Sequence, residues 1–128
     1  MQRVMFDRGQ TIFSEGEASL EMYRIRAGAV DILIAGAGGG ERRIASLGPD
    51  EVFGEMGIID PAPRSATAVA REPTVCDAYT AAEVIALMST DPGEVMDLLR
   101  ALILRLRSSN RKLAAKAPPG PPRAPAGT

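Results

Sequence analysis

The chain has 128 residues, a formal net charge of −1, one cysteine and no histidine. This length leaves room for one domain and a tail, and no apolar run approaches the ~20 residues that a membrane span needs. The lack of histidine removes the commonest general base and metal ligand, which argues against an enzyme and against a metal site. The single Cys76 excludes an internal disulfide, and together with an N-terminus that lacks an apolar leader it predicts a reducing, cytoplasmic setting.

The charge is unevenly distributed along the chain. Residues 1–99 hold 16 acids and 8 bases, whereas residues 100–128 hold seven bases and no acid. Basic side chains favour the C-terminal end of a helix, where the macrodipole is negative, and we adopt this interpretation. An acidic protein surface, a membrane or a nucleic acid as partner of the basic segment is the alternative.

Short strands dominate the first part of the chain. Residues 3–6 and 11–13 are predicted strands separated by an Asp-Arg-Gly turn. Residues 20–26 alternate loosely between apolar and polar side chains, and residues 30–34 alternate more cleanly, as half-buried strands do. Gly28 between these last two strands predicts a hairpin that pairs them.

The segment 35–40 consists only of glycine and alanine. It lacks the Lys-Ser/Thr pair and the following helix of a phosphate-cradling loop, so we interpret it as a hairpin connection. Residues 41–47 form the next predicted strand. Asp50 lies in the turn after it, where aspartate tolerates the positive φ that a turn requires.

Residues 51–70 are the most informative stretch of the chain. A two-residue strand, 52–53, leads to Gly54 and a helical turn at 56–59, and a strand of small residues follows Arg64. Gly54 lets a ligand approach the backbone, the free N–H groups of the turn attract an anion, and Arg64 supplies a cation with fork geometry. This arrangement predicts a phosphate-binding site.

Neighbouring residues refine this prediction. Ser65 can donate from its hydroxyl to the same phosphate. Glu55 would repel a phosphate, so we expect its carboxylate to accept a hydrogen bond from a sugar hydroxyl while Arg64 faces the phosphate. The small side chains of 65–70 either leave space for the ligand or let a helix pack closely, and residues 74–79 form the last predicted strand.

Two helices are predicted at the C-terminal end. Thr80 and Glu83 form a capping box that opens a short helix. Asp91 caps a long helix, the Glu94 side chain reaches back to this cap, and the helix continues to about residue 115.

The long helix carries a short coiled-coil seam. Its apolar side chains recur at alternating four- and three-residue steps, with Ser109 as a polar interruption. Leu98 and Ile103 widen the apolar face toward the strands, so we expect a weak homodimer through the rest of the helix. The seam consists of Val95, Leu99, Leu102, Leu106 and Leu113.

The phosphate-site stretch resembles the phosphate-binding cassette of the cyclic nucleotide-binding domain family. That motif is Phe-Gly-Glu followed by Pro-Arg, a small residue and Ala, and the nine positions from Glu55 to Arg64 are its common spacing. Segments 9–17 and 22–30 look like the family's first four strands, so the resemblance covers roughly residues 3–115. The matching cassette residues are Phe53, Gly54, Glu55, Pro63, Arg64, Ser65 and Ala66.

The resemblance implies a mainly β fold. We expect an eight-stranded antiparallel β-roll, similar to a jelly roll, with short helices and a long C-terminal helix. The cyclic nucleotide-binding domain would occupy residues 1–116. Residues 117–128, rich in Pro, Ala and Gly, are expected to be a disordered tail.

The resemblance also implies a role for each cassette residue. Arg64 pairs with the cyclic phosphate, assisted by the Ser65 hydroxyl and by backbone N–H groups. Glu55 accepts from the ribose 2′-hydroxyl, and Gly54 gives the sugar access to it. The implied ligand-binding residues are Gly54, Glu55, Met56, Gly57, Arg64, Ser65 and Ala66.

The purine is expected in an apolar pocket covered by the long helix, with Leu98, Leu102 and Arg105 as candidates to cap it. In the family, a threonine directly after the arginine favours cyclic GMP. Here that position is Ser65, which lacks the methyl group that restricts a threonine rotamer. Cyclic AMP is therefore the expected ligand, and cyclic GMP is less favoured.

We expect a stand-alone sensor, not an enzyme, that binds cyclic AMP reversibly and holds no cofactor or metal. The helical sequence that usually precedes the family's first strand is missing, and a proline-rich tail stands where one branch continues into a DNA-binding domain. The sequence shows no kinase-inhibitor segment and no channel span. Signalling is therefore expected to pass through movement of the C-terminal helix to a separate, unknown effector protein.

Two alternatives belong to other classes. The first is a nucleotide-independent protein-interaction module, a β-roll that has lost its ligand and docks through its basic helix. The second is an enzyme on a cupin-like roll, whose metal normally needs the histidines that this chain lacks. Binding of cyclic AMP separates the sensor from the first alternative, and the metal content of the protein tests the second.

Overall fold

The computed structural model describes residues 1–36, 38–59 and 62–116, with the backbone alone at 59 and 105–116. Within these residues the chain is mainly β, with two four-stranded antiparallel sheets and three helices. The predicted fold class, an eight-stranded antiparallel roll with short helices and a long C-terminal helix, is confirmed.

Each sheet combines strands from distant parts of the chain. The strands are β1 (Gln2–Phe6), β2 (Thr11–Phe13), β3 (Glu21–Ala27), β4 (Val30–Ala35), β5 (Glu41–Leu47), β6 (Val52–Phe53), β7 (Thr67–Ala70) and β8 (Thr74–Thr80). The helices are α1 (Met56–Ile59), α2 (Ala81–Thr90) and α3 (Pro92–Lys116). One sheet has the order β1-β8-β3-β6 and the other β2-β7-β4-β5.

The predicted hairpin between the strands on either side of Gly28 is wrong. β3 pairs with β6 and β8, and β4 pairs with β5 and β7, so the chain crosses from one sheet to the other at Gly28. Gly28 has a φ of 96°, and a Cβ there would lie 2.5 Å from both the Pro73 carbonyl oxygen and Thr74 Oγ1. The sharp crossing therefore needs a residue without a side chain, and glycine marks the change of direction without specifying a pairing.

The other predicted turns are present. β4 and β5 pair across the glycine-rich segment, from Val30 opposite Leu47 to Ala35 opposite Glu41. Asp50 follows β5 with a φ of 70°, which is the positive value predicted for this turn. Short polar side chains tolerate this backbone conformation better than branched ones do.

The core draws on both sheets, and aromatic side chains form its centre. The rings of Tyr23 and Phe53 stack with centroids 5.2 Å apart, and Phe13 packs on both at 6.1 and 5.9 Å. Phe6 meets Tyr23 edge-on at 6.4 Å. Cys76 is fully buried in the same core, and burial raises the pKa of its thiol to about 12, so Cys76 behaves as a small core residue.

Both predicted helix caps are present. Thr80 Oγ1 accepts from the Glu83 N–H at 3.2 Å, and the Glu83 carboxylate accepts from the Thr80 N–H at 3.3 Å. The Asp91 carboxylate accepts from the Glu94 N–H at 3.2 Å. The predicted return of the Glu94 side chain to its cap is wrong, because this carboxylate instead accepts from the Tyr79 hydroxyl at 2.5 Å.

Burial on α3 differs from the prediction. Leu98 is buried as expected, but Ile103 is 46% exposed, so the expectation that both side chains face the strands is wrong. A helix rotates by about 100° per residue, so side chains five positions apart point roughly 140° away from each other. Leu99 is 45% exposed whereas Leu102 is half-buried, so the seam is only partly covered. The seam side chains outside the described residues are Leu106 and Leu113.

The described residues include no helix that is both long and apolar enough to cross a membrane. The tail predicted at 117–128 lies outside the described residues, as do the basic side chains of 105–116.

Candidate ligand-binding site

A cavity of about 200 Å³ opens between α1 and the segment that precedes β7. All seven residues predicted to bind the ligand line it: Gly54, Glu55, Met56, Gly57, Arg64, Ser65 and Ala66. The remaining lining residues are Phe13, Ser19, Ile32, Phe53, Ala62 and Pro63.

Arg64 is the buried cation of this cavity, only 7% exposed. Its Nη1 donates to the Gly54 carbonyl at 2.8 Å and its Nη2 donates to the Glu21 carbonyl at 2.7 Å. The guanidinium carbon lies 4.0 Å from the centroid of the Phe13 ring. Among the described residues, its buried Nε finds no hydrogen-bond partner.

Burial lowers the pKa of Arg64, because removal from water disfavours the charged form. The nearby Tyr23, Glu21, Glu17 and Glu55 act in the opposite direction. The guanidinium still carries its charge at neutral pH, since arginine does not lose its proton in proteins. The site therefore holds a partly desolvated positive charge that an anion would stabilise.

Backbone hydrogen bonds fix the chain on both sides of Arg64. The Arg64 N–H donates to the Glu17 carbonyl at 2.7 Å, and the Gly16 N–H donates to the Arg64 carbonyl at 2.8 Å. Ala18 and Pro63 form an isolated antiparallel bridge beside them. The turn between β2 and β3 therefore holds the cassette in place.

Two glycines make close approaches that a side chain would prevent. Gly54 has a φ of 74°, and a Cβ there would lie 2.7 Å from Arg64 Nη1. A Cβ at Gly57 would overlap the side chain of Ser19. Glycine is therefore needed for the position of Arg64 at one place and for the contact with the Ser19 loop at the other.

The remaining predicted residues differ in exposure. Glu55 is buried in the wall of the cavity, although its carboxylate is ionisable. Met56 and Ser65 are exposed at the mouth, and Ala66 is half-buried between them and β7. The polar groups therefore lie at two depths, with Glu55 and Arg64 inside and Ser65 at the entrance.

The candidates for capping the purine lie elsewhere. Leu98 and Leu102 line a second, apolar cavity of about 270 Å³ bounded by α1, α2 and α3. Glu55 belongs to the walls of both cavities. Neither leucine lines the cavity beside Arg64, and the side chain of Arg105 lies outside the described residues.

Sequence reasoning missed part of the cavity wall. Phe13, Ser19 and Ile32 come from β2, a loop and β4, each far from the cassette in sequence. Motif spacing carries no signal for them, because tertiary contacts between distant segments bring these positions together. The described residues also hold no group of three Cys, Asp and Glu side chains that could bind a metal ion.

Comparison with known proteins gives the family. The family model described as cyclic nucleotide-binding domain matches residues 3–91. The chain belongs to the cyclic nucleotide-binding domain family. The seven predicted residues line a cavity within a domain of this family, and their roles toward a ligand stay predictions.

Two of the similar proteins are named for cyclic AMP. The Cyclic AMP receptor protein of Thermus thermophilus is 37% identical over 112 residues, which are 88% of this domain's chain and 52% of that protein. The cAMP-dependent protein kinase regulatory subunit of Yarrowia lipolytica is 33% identical over 75 residues, 59% of the chain and 19% of that protein. The chain spans about half the length of the first relative and about a fifth of the second.

A solved structure extends the likeness to three dimensions. The cyclic nucleotide-binding domain from Methylobacillus flagellatus has a TM-score of 0.77 and 27% identity to this chain. The match covers 93% of this chain and 69% of that one. The two-sheet roll and its helices are therefore the fold of the family.

Proposed function

We propose that this domain reversibly binds a cyclic purine nucleotide and prefers cyclic AMP to cyclic GMP. The observation that carries the proposal is the buried Arg64 guanidinium, whose Nε has no hydrogen-bond partner among the described residues. A desolvated cation with an unused donor favours an anion of matching geometry, and a phosphodiester offers two oxygens to it.

The cavity wall supports a role for each group. The cyclic phosphate lies against Arg64, with the Ser65 hydroxyl and the backbone N–H groups of Met56, Gly57 and Ala66 as further donors. The ribose 2′-hydroxyl donates to Glu55, which lines the same cavity. This arrangement separates the two acidic groups, because the carboxylate contacts the sugar and the phosphate contacts the cation.

The preference for cyclic AMP has two supports. The two curated relatives are named for cyclic AMP, and Ser65 occupies the position after the arginine. Serine has a hydroxyl but no methyl group to hold its rotamer toward a guanine amino group. We assign a modest preference of about tenfold, which corresponds to ~1.4 kcal/mol.

We further propose that the domain acts as a sensor that signals through α3 to a separate protein. Leu98 and Leu102 share the wall of the second cavity with Glu55, which also lines the first, so we infer that occupancy of the ligand cavity and the position of the helix are linked. Leu99 and Ile103 lie exposed on α3, where a partner can contact them. We place this sensor in the cytoplasm, where the thiol of Cys76 remains reduced.

Isothermal titration calorimetry tests the binding proposal. Nucleotide-free protein should release or absorb heat with cyclic AMP, and Arg64→Ala should lose nearly all of this signal. Arg71→Ala is the matched control, because Arg71 is exposed after β7 and its side chain donates to Ser46 Oγ at 3.2 Å, away from the cavity. An absence of cyclic AMP binding by the unaltered protein would refute the proposal and favour the nucleotide-independent interaction module.

A further inference from the structure

Phe13 lies beneath the cation of the candidate site. The Arg64 guanidinium carbon is 4.0 Å from the ring centroid, which is within the distance for a favourable cation–π contact. The ring is buried in the aromatic core, with Tyr23 at 6.1 Å and Phe53 at 5.9 Å between centroids. Neighbouring rings therefore fix the orientation of the face that Phe13 presents to Arg64.

The three contacts of the guanidinium share one property. The Gly54 and Glu21 carbonyls are backbone groups of the cassette and of β3, and Phe13 is a packed core ring. None of these groups is a long flexible side chain that must lose rotamer freedom. The guanidinium is therefore held at both Nη groups and on one face, and Nε has no hydrogen-bond partner within the part of the chain that the structure describes.

We propose that Phe13 is a positioning residue for the nucleotide site: its ring face holds Arg64 in the orientation that receives the phosphate. The inference rests on the proposed function, since it concerns how the same cation binds the same anion. The ring, which also lines the cavity, acts by raising the fraction of molecules in which Arg64 is ready to bind. Apparent affinity falls in proportion to this fraction.

Replacement by an aliphatic residue alone would confuse two effects. Leucine at position 13 removes the ring quadrupole but also leaves a gap among Tyr23 and Phe53, which destabilises the core. Fluorination separates these effects, because successive fluorine atoms withdraw charge from the ring face while nearly preserving its shape. The electrostatic attraction for Arg64 falls along such a series, whereas the packing changes little.

The experiment replaces Phe13 with 4-fluoro-, 3,4,5-trifluoro- and pentafluorophenylalanine and measures cyclic AMP affinity by calorimetry. We expect affinity to fall stepwise, by roughly tenfold in total, which matches the range for a partly desolvated cation–π contact. The same series at Phe6, which meets Tyr23 edge-on in the same aromatic group, is the control and should leave affinity unchanged.

A second readout needs no nucleotide. The Arg64 Nε–H proton lies near the ring, so its NMR resonance should shift when Phe13 is replaced by leucine and should change little in Phe6→Leu. Unchanged affinity across the Phe13 series in a protein that binds cyclic AMP would overturn the role of Phe13 alone. Tighter binding on fluorination would also overturn it, by showing that the ring holds Arg64 away from the phosphate. Loss of all binding in the unaltered protein would refute the proposed function itself.

Discussion

Arg64 holds its position through directional contacts, and this limits which residue can replace it. Its two Nη groups reach carbonyls of Gly54 and Glu21 that lie in different segments of the chain. Arg64→Lys retains the charge but has one nitrogen and no planar fork. Leaving a buried phosphate without its partner costs ~2–5 kcal/mol, or roughly 30- to several-thousand-fold in affinity.

We therefore expect Arg64→Ala to nearly abolish cyclic AMP binding and Arg64→Lys to recover it only in part. Both variants should still unfold cooperatively, because the aromatic core of the roll remains. Arg64→Ala should melt at a lower temperature, since the Gly54 and Glu21 carbonyls lose their donor. Calorimetry gives the affinities and circular dichroism gives the melting temperatures. Full affinity in Arg64→Ala would contradict the site.

Glu55 allows a test that identifies the group it binds. A 2′-deoxy ligand cannot donate to this carboxylate, and the loss of a hydrogen bond to a charged group costs ~1–3 kcal/mol. In the unaltered protein, 2′-deoxy cyclic AMP should therefore bind roughly 5- to 150-fold more weakly than cyclic AMP. In Glu55→Ala the two ligands should bind equally, since the acceptor is gone.

The comparison forms a double-mutant cycle between one protein group and one ligand group. Exposed Glu41 on β5 supplies the control, because Glu41→Ala should retain the full discrimination. If Glu55→Ala still binds cyclic AMP more tightly than 2′-deoxy cyclic AMP, the 2′-hydroxyl contacts a residue other than Glu55.

Two effects would act against a side chain at Gly54, the positive φ of its backbone and the lack of space for a Cβ. Substitution of Gly9 measures the first effect by itself. Both glycines have positive φ, 74° and 83°, but only at Gly54 would a Cβ meet other atoms. Gly54→Ala and Gly9→Ala should each lose about 1–2 kcal/mol of unfolding free energy from the backbone alone. Only Gly54→Ala should also lose cyclic AMP affinity, because its Cβ would displace Arg64. Equal affinities in both variants would show that Arg64 tolerates the displacement.

At the scale of the elements, Asp77 ties together three strands of one sheet. Its carboxylate on β8 accepts from Arg3 Nε of β1 at 3.0 Å and from Arg26 Nε of β3 at 2.6 Å. Burial by itself raises the pKa of Asp77, but the hydrogen bonds from Arg3 and Arg26 together outweigh it, so that the pKa lies below its usual range. The ionised form is therefore the one that the folded protein favours.

The lowered pKa of Asp77 determines how the stability of the folded protein depends on pH. A carboxyl whose folded pKa is lowered adds stability above its unfolded pKa of about 3.9, and this stability is lost as the pH falls through the lower folded value. Asp77→Asn should lose ~1.5–3 kcal/mol at neutral pH and show a flatter loss of stability below about pH 4. Urea unfolding from pH 2 to 7 measures both effects.

The control for Asp77 is a surface pair on α3. Asp97 accepts from Arg100 Nη1 at 2.9 Å, and both side chains are exposed. Asp97→Asn should change the unfolding free energy by less than about 0.5 kcal/mol, because exposed pairs are weak. If both substitutions lower the unfolding free energy equally, the buried ion pairs of Asp77 stabilise the protein no more than the exposed pair of Asp97 does.

For the whole molecule, the exposed apolar side chains of α3 predict weak self-association. Leu99 and Ile103 are both nearly half exposed, and exposed apolar stripes favour contact with another surface. We expect a monomer–dimer equilibrium that Leu99→Glu weakens by about tenfold or more, equal to ~1.4 kcal/mol. Cyclic AMP should shift this equilibrium, and dimerisation should change ligand affinity by the same factor.

Sedimentation velocity with and without cyclic AMP measures this equilibrium. Ile85→Glu is the control, because Ile85 is an exposed apolar side chain on α2 rather than α3. A protein that stays monomeric under all these conditions would leave the exposed residues of α3 for a different partner.

The fold and the site differ in how far sequence could predict them. Turn glycines, helix caps and the cassette are local signals, and α1, β6 and Arg64 lie where these signals place them. Sheet partners are not local, and for this reason the hairpin at Gly28 was wrong. The same limit hid Phe13, since only the pairing of β2 with β7 brings it to the cassette.

The hydrogen bond between Tyr79 and Glu94 attaches the first turn of α3 to β8, so that a tilt of the helix would pivot about this contact. The helix spans 25 residues, so its axis is about 37 Å long at 1.5 Å per residue. A tilt of about 10° about this contact would displace the C-terminal end of α3 by about 6 Å. Under the proposed signalling through α3, a small shift of Leu98 near this contact would be amplified toward the C-terminal end of the helix, and a protein that contacts that end would receive a displacement several times larger.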